Sequence, residues 1–175
     1  MEITSNGGDN VAQRLSLDNV RSLVDSVDAF LFDCDGVIWK ANELIDGVAE
    51  TLTALRSMGK KIMFVTNNST KSRKQYSTKF LGLGLSVSED EIFCSSFAAA
   101  MFLKVNKLSV DKNVYVIGEE GILEEVELAG YKCIGGPEDG KKLPDLRPNS
   151  YFEHNKNVGA VIVGFDHYIN FYKLQ

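Results

Sequence analysis

Ala29-Phe30-Leu31-Phe32-Asp33-Cys34-Asp35-Gly36-Val37 is the stretch on which the reading of this chain turns. Four successive apolar residues closed by a polar turn predict a short strand buried on both faces, as in a parallel sheet covered by helices. Two carboxylates two residues apart follow, and then Gly36 lets the backbone turn. The first carboxylate, at the strand tip, is suited to act as a nucleophile. The second, one step into the loop, can reach a leaving-group oxygen from the other side. A carboxylate that forms an aspartyl-phosphate is an established route to phosphoryl transfer. Like charges this close need a cation, which implies magnesium. Two other readings of Asp-x-Asp-Gly compete. A calcium loop counted from Asp33 would need an acid or amide at Val37, glycine at Ile38 and glutamate at Leu44, and all three fail. An ordinary polar turn stays open on this motif alone.

Further along, Lys61 to Val65 repeats the pattern of a buried strand and ends in Thr66-Asn67-Asn68-Ser69. A hydroxyl and free backbone N–H groups at a second strand end suit phosphate oxygens, although a polar turn capping the next helix would look the same. Arg56, Lys60, Lys61, Lys71, Arg73, Lys74 and Lys79 flank this strand with no acid among residues 56–79. Most would solvate a helix face, and together they would draw an anion inward.

The remaining pattern alternates. Helices are expected from Leu17 to Val27 behind Ser16, over 46–58 with Asp46 as cap and Gly59 as stop, and from a Ser72/Gln75 capping box to Gly82. Strand 92–94, helix 97–105, strand 114–117, helix 120–129 and a short strand 131–134 follow. Residues 135–156 read as a loop, 158–164 as another buried strand, and the end as the start of a helix. Strands alternating with helices predict a parallel sheet with helices on both faces, and sites in such sheets lie beyond the carboxyl ends of strands.

Composition closes off other classes. With 44% apolar and 25% charged residues in 175, the chain can bury a core, which excludes disordered and fibrous readings. No apolar run is long enough to span a membrane. A net charge of −5 argues against nucleic-acid binding. Three widely spaced cysteines suggest neither a zinc site nor a disulfide framework. The opening residues lack a signal core and carry more acid than arginine, so a cytoplasmic, reducing setting is expected. Gly135 to Lys142 fails as a phosphate loop, because Lys142 stands where Ser or Thr is needed and Pro144 blocks the helix. Gly82-Leu83-Gly84 follows a helix and lacks a third glycine, so it is no dinucleotide motif. Cys34, between two negative charges, is disfavoured as a thiolate. His154 and His167 read as exposed histidines without partners.

FLFDCDGVIW (30–39) followed by FVTNNSTKSR (64–73) resembles the haloacid-dehalogenase-like (HAD) phosphatases, and within them the phosphoglycolate/p-nitrophenyl phosphatase group, which includes pyridoxal-phosphate phosphatases. EIFCSSFAAAMFLK and VYVIGEEGILEE look most like the plant phosphoglycolate phosphatases. The resemblance implies a Rossmann-like α/β parallel-sheet core, incomplete here, with part of an inserted α/β cap. The implied layout is a flexible 1–15, the N-terminal half of the core over 16–100, and a partial cap over 101–175. It implies Asp33 as nucleophile and magnesium ligand, and Asp35 as general acid–base whose backbone carbonyl also binds magnesium. Thr66 and Asn67 would hold the phosphoryl group, with Asn68 supporting them. Phe165-Asp166-His167-Tyr168 would face the site and help select substrate. The substrate would be a small phosphorylated metabolite, 2-phosphoglycolate of photorespiration first, and a homodimer through the cap is implied for the whole family protein. Family members continue past this chain's end with a phosphate-binding lysine and further acidic magnesium ligands. The resemblance therefore implies an inactive or impaired phosphatase. It also implies that Ala29 to Asp33 is left as an open apolar edge. The rival from another class is a non-catalytic piece that acts by binding a partner.

Overall fold

Ala29–Asp33 (β1) and Lys61–Thr66 (β4) pair in parallel, and β4 pairs in parallel with Ile92–Cys94 (β5), giving a three-stranded sheet in the order β1-β4-β5. The computed structural model describes residues 14–145, 147–148 and 150–175. The loose opening segment expected over 1–15 lies almost wholly outside them.

Val20–Ser26 (α1) precedes β1. A two-strand hairpin, Trp39–Lys40 (β2) and Glu43–Leu44 (β3), follows it, and Val48–Ser57 (α2) leads into β4. Arg73–Gly82 (α3) connects β4 to β5, and Ser95–Val105 (α4) leads onward. The first core gathers Trp39, Phe64, Tyr76, Phe80, Leu52 and Ile92 between sheet and helices. Burial of each such side chain contributes about 1.5–3 kcal/mol. A second parallel sheet has the order β7-β6-β8, from Asn113–Ile117 (β6), Lys132–Gly135 (β7) and Val158–Val163 (β8). Glu120–Leu128 (α5) packs on it with α4, around Val114, Val116, Ile122 and Val126. Phe171–Leu174 (α6) ends the chain. The α/β class with parallel sheets is thus as expected.

Several local expectations change. The apolar run of β1 is not buried on both faces: its residues alternate between exposed and half-buried, and Leu31 is 70% exposed. β1 is an edge strand, and a continuous apolar run does not distinguish an edge from a centre. The same holds for β8, where Val161 and Val163 are exposed. Asp46 does not cap α2. The cap position is Gly47, in the left-handed region at φ 81°, and it offers no side-chain acceptor. Asn19 rather than Ser16 stands at the N-cap of α1. The Ser72/Gln75 capping box of α3 is present in full. The β2–β3 hairpin was not anticipated, because its turn runs through Ala41 at φ 56°, a residue type that rarely takes this conformation. Within the loop 135–156, Pro137–Lys141 forms a 3₁₀ turn.

The open apolar edge predicts self-association. Leu31→Lys should reduce light scattering of the purified chain at equal concentration while leaving its thermal midpoint unchanged. Unchanged scattering would show that the edge is not the adhesive surface.

Candidate active site

Parallel pairing aligns the two polar strand ends. Asp33 is in register with Val65, so the next residue on β4, Thr66, begins its turn beside the Asp33-Cys34-Asp35 turn. Neighbouring strands lie roughly 4.8 Å apart. The sheet therefore brings Asp33, Asp35, Thr66, Asn67 and Asn68 to one rim, at the carboxyl ends of β1 and β4.

Both aspartates are exposed, whereas Cys34 between them is fully buried. Burial first, and then the charges of Asp33 and Asp35, push the Cys34 thiol up to about 12. It stays protonated and is no nucleophile, as expected. Gly36, at φ 81°, makes the turn, and its N–H donates to Trp39 O at 2.7 Å. Trp39 Nε1 donates to Asp35 Oδ1 at 2.8 Å. On the other strand Thr66 is 3% exposed, and its Oγ1 accepts the Asn68 N–H at 3.2 Å. Asn68 Oδ1 accepts the Thr70 N–H at 2.9 Å, so this side chain shapes the turn. Asn67 is exposed, with its carbonyl held by Ser95 Oγ at 2.8 Å.

The basic flank is more committed than its sequence suggested. Arg56 binds Glu91 and Ser86 O, Lys60 binds Val27 O, and Arg73 binds Glu125. Lys79 lies 4.0 Å above the Trp39 ring, and burial lowers its pKa while the Asp35 charge opposes that shift.

The segment after the Thr66 turn is clamped to the second sheet. Ser69 Oγ accepts the Phe165 N–H at 2.9 Å, and the Gly121 N–H donates to Thr70 O at 3.2 Å. Ser72 Oγ and Gln75 Nε2 both donate to Glu124. The Arg73 N–H and Nε donate to Glu125, which is 1% exposed. Gly121 abuts Lys71 so closely that an added Cβ would stand 2.2 Å from a Lys71 backbone atom. Sequence reasoning missed Trp39, Gly121, Glu124 and Glu125, and placed Ser69 in the polar turn without its partner Phe165. Their partners are mostly tens of residues away, and an exposed-looking Glu-Glu pair on a helix gives no local signal.

The segment expected to help select substrate has its backbone tied to Ser69, next to the Thr66 turn. Asp166, however, turns inward: its carboxylate contacts Lys173 Nζ, with both side chains buried, and accepts the Tyr168 N–H. His167 is not without a partner, since Nδ1 lies 2.7 Å from Glu119 Oε1. A cavity of about 510 Å³ is lined by Tyr115, Asp139, Lys142, His154 and Tyr172 among others and shares no residue with the two strand ends.

Among the described residues no group of three or more His, Cys, Asp or Glu side chains is arranged to hold a metal ion. Asp33 and Asp35 nevertheless offer the hard oxygen donors that magnesium takes. Such sites use one or two carboxylates and complete the shell with water and phosphate oxygens. The pair fits that chemistry.

The family model for haloacid dehalogenase-like hydrolases matches residues 30–132, and the chain belongs to that family. Phosphoglycolate phosphatase 2 of Arabidopsis thaliana is 63% identical over 93% of this chain and 54% of its own length. Phosphoglycolate phosphatase 1A, chloroplastic, of the same plant is 61% identical over 91% and 44%. The solved p-nitrophenyl phosphatase of Archaeoglobus fulgidus, 39% identical, superposes with a TM-score of 0.56 over 61% of this chain and 40% of that one. The chain spans about half the length of the curated relatives it matches. No helix among the described residues is long and apolar enough to cross a membrane.

Removing one partner of a buried ion pair strands the other charge, at a cost of about 3–5 kcal/mol. Glu125→Ala should therefore lower unfolding stability by about 3 kcal/mol in urea titration. Glu120→Ala, at an exposed site on the same helix, should change it by less than about 0.5 kcal/mol. Equal effects would show that the clamp carries no load.

Proposed function

We propose that this chain carries the nucleophile and the proton carrier of a magnesium-dependent phosphomonoesterase, with 2-phosphoglycolate as the first substrate to test. The observation that supports it is the parallel β1–β4 pairing, which sets Asp33 beside the Thr66 turn. An Asp33 carboxylate oxygen attacks phosphorus, the ester P–O bond breaks, and Asp35 gives its proton to the departing alkoxide. Asp35, now a carboxylate, takes a proton from the water that attacks the aspartyl-phosphate. That step breaks the Asp33–phosphorus bond, releases phosphate and restores both groups. The Thr66 hydroxyl and Asn67 hold the phosphoryl oxygens, and Asn68 supports them by shaping the turn. Asp33 and the Asp35 carbonyl would hold magnesium, which when bound offsets the negative charge gathered on nucleophile and phosphate. The names of the two plant relatives support the choice of substrate.

The same reading expects impaired catalysis in the 175-residue chain. Two aspartates supply few of the groups that surround a transferring phosphoryl, and each missing preorganised group costs on the order of 10²–10³ in rate. A non-catalytic, partner-binding role is the second reading. A cytosolic setting belongs to the same proposal, and a fluorescent fusion in cells would test it against the chloroplast.

Purified 1–175 should release phosphate from 2-phosphoglycolate at saturating magnesium only slowly, and both Asp33→Asn and chelation of magnesium should abolish that release. Turnover of about 10 s⁻¹, ordinary for an enzyme, would refute the impairment. Release unaffected by Asp33→Asn would refute the assignment of the nucleophile.

A further inference from the structure

Asp35 is an exposed side chain on a turn, and a carboxylate so placed is free to sample several rotamers. A group that gives a proton to one oxygen and then takes one from another must hold its place, because a misplacement of about 1 Å can cost on the order of 10²-fold. Among the described residues, the only side chain that hydrogen-bonds the Asp35 carboxylate is Trp39, through Nε1 at 2.8 Å.

Trp39 itself has no freedom. It is fully buried. Its ring lies 6.3 Å from Tyr76 at an interplanar angle of 14° and 4.9 Å from Phe80 at 65°. Lys79 Nζ sits 4.0 Å over its face and donates to Ala41 O at 3.3 Å. The backbone closes the same loop through the Gly36 N–H bond to Trp39 O and a bridge between Asp35 and Trp39. The indole N–H is thus a donor fixed by the first core and aimed at a side chain on the rim.

We propose that Trp39 is a positioning residue for Asp35: its indole N–H holds the carboxylate in one rotamer at the mouth of the site. The inference rests on the reading of Asp35 as proton carrier, and it adds the element that keeps the carrier in place. A purely structural Trp39 would need Asp35 only as an acceptor for its own buried N–H, and Asp35 would keep its rotamer without it.

The chain has a single tryptophan, so one indole N–H resonance reports on this bond. Asp35→Ala should move that resonance. Three-bond couplings to the Asp35 β-methylene protons should give one rotamer in the parent chain and rotamer-averaged values in Trp39→Phe. A second sample guards against misfolding: biosynthetic replacement of the tryptophan by its benzothienyl analogue keeps the ring shape and deletes only the N–H. It should show the same averaging. An unmoved indole resonance in Asp35→Ala, or an Asp35 rotamer unchanged with the analogue, would overturn the proposal. These measurements need no turnover, so they stand apart from the Asp33→Asn phosphate-release test of the catalytic reading.

Discussion

Five residue pairs between β1 and β4 decide what this molecule can do. Parallel strands in this register bring two turns to the same rim: one carries two carboxylates, the other the Thr66 hydroxyl and a turn shaped by Asn68. A slip of one residue would turn every β1 side chain to the opposite face. Phe30 and Phe32 would leave the first core and Leu31 would enter it. The apolar contacts that hold β1 therefore also hold the aim of Asp33, which couples stability to chemistry in a single strand.

Beyond that pairing, the rim depends on a clamp. Four of the five residues after the Thr66–Asn68 turn are bound to helix α5 and the end of β8 through Glu124, Glu125, Gly121 and Phe165. Two of these partners are carboxylates facing Ser72, Arg73 and Gln75 at the start of α3, where negative charge also complements the helix dipole. The second sheet and its helix α5 thus reach the segment after the Thr66 turn through several hydrogen bonds. Arg73 is used in this clamp, and Arg56 and Lys60 in contacts with Glu91 and Val27, rather than left to attract anions.

What the sequence made legible was mostly local. The Ser72/Gln75 box, the α/β alternation and the polar strand ends are read from neighbours within four residues, and they stand in the structure. Strand position was not legible from composition, because Ala29–Asp33 and Val158–Val163 have the composition of buried strands and lie at edges; only the family resemblance gave the open edge at Ala29 to Asp33. The turn at Ala41 broke the residue preferences that announce turns, so its hairpin went unread. Asp166 and His167 were misjudged because Lys173 and Glu119 become their neighbours only after folding. At the candidate site, Asp33, Asp35 and Thr66 follow from residue type and spacing. The indole that meets Asp35 is four positions along a non-helical loop, where no periodic rule applies.

Gly121 carries the last consequence. Its α-carbon faces the Lys71 backbone with no room for a methyl group, since an added Cβ would come within 2.2 Å of it. Any other L-amino acid there would act as a wedge between helix α5 and the Lys71 backbone, straining the contacts the neighbouring glutamates make. The joint between the two halves of the molecule is therefore guarded by a missing side chain, and among mutations confined to that seam even the gentlest enlargement at this one position would loosen the whole assembly.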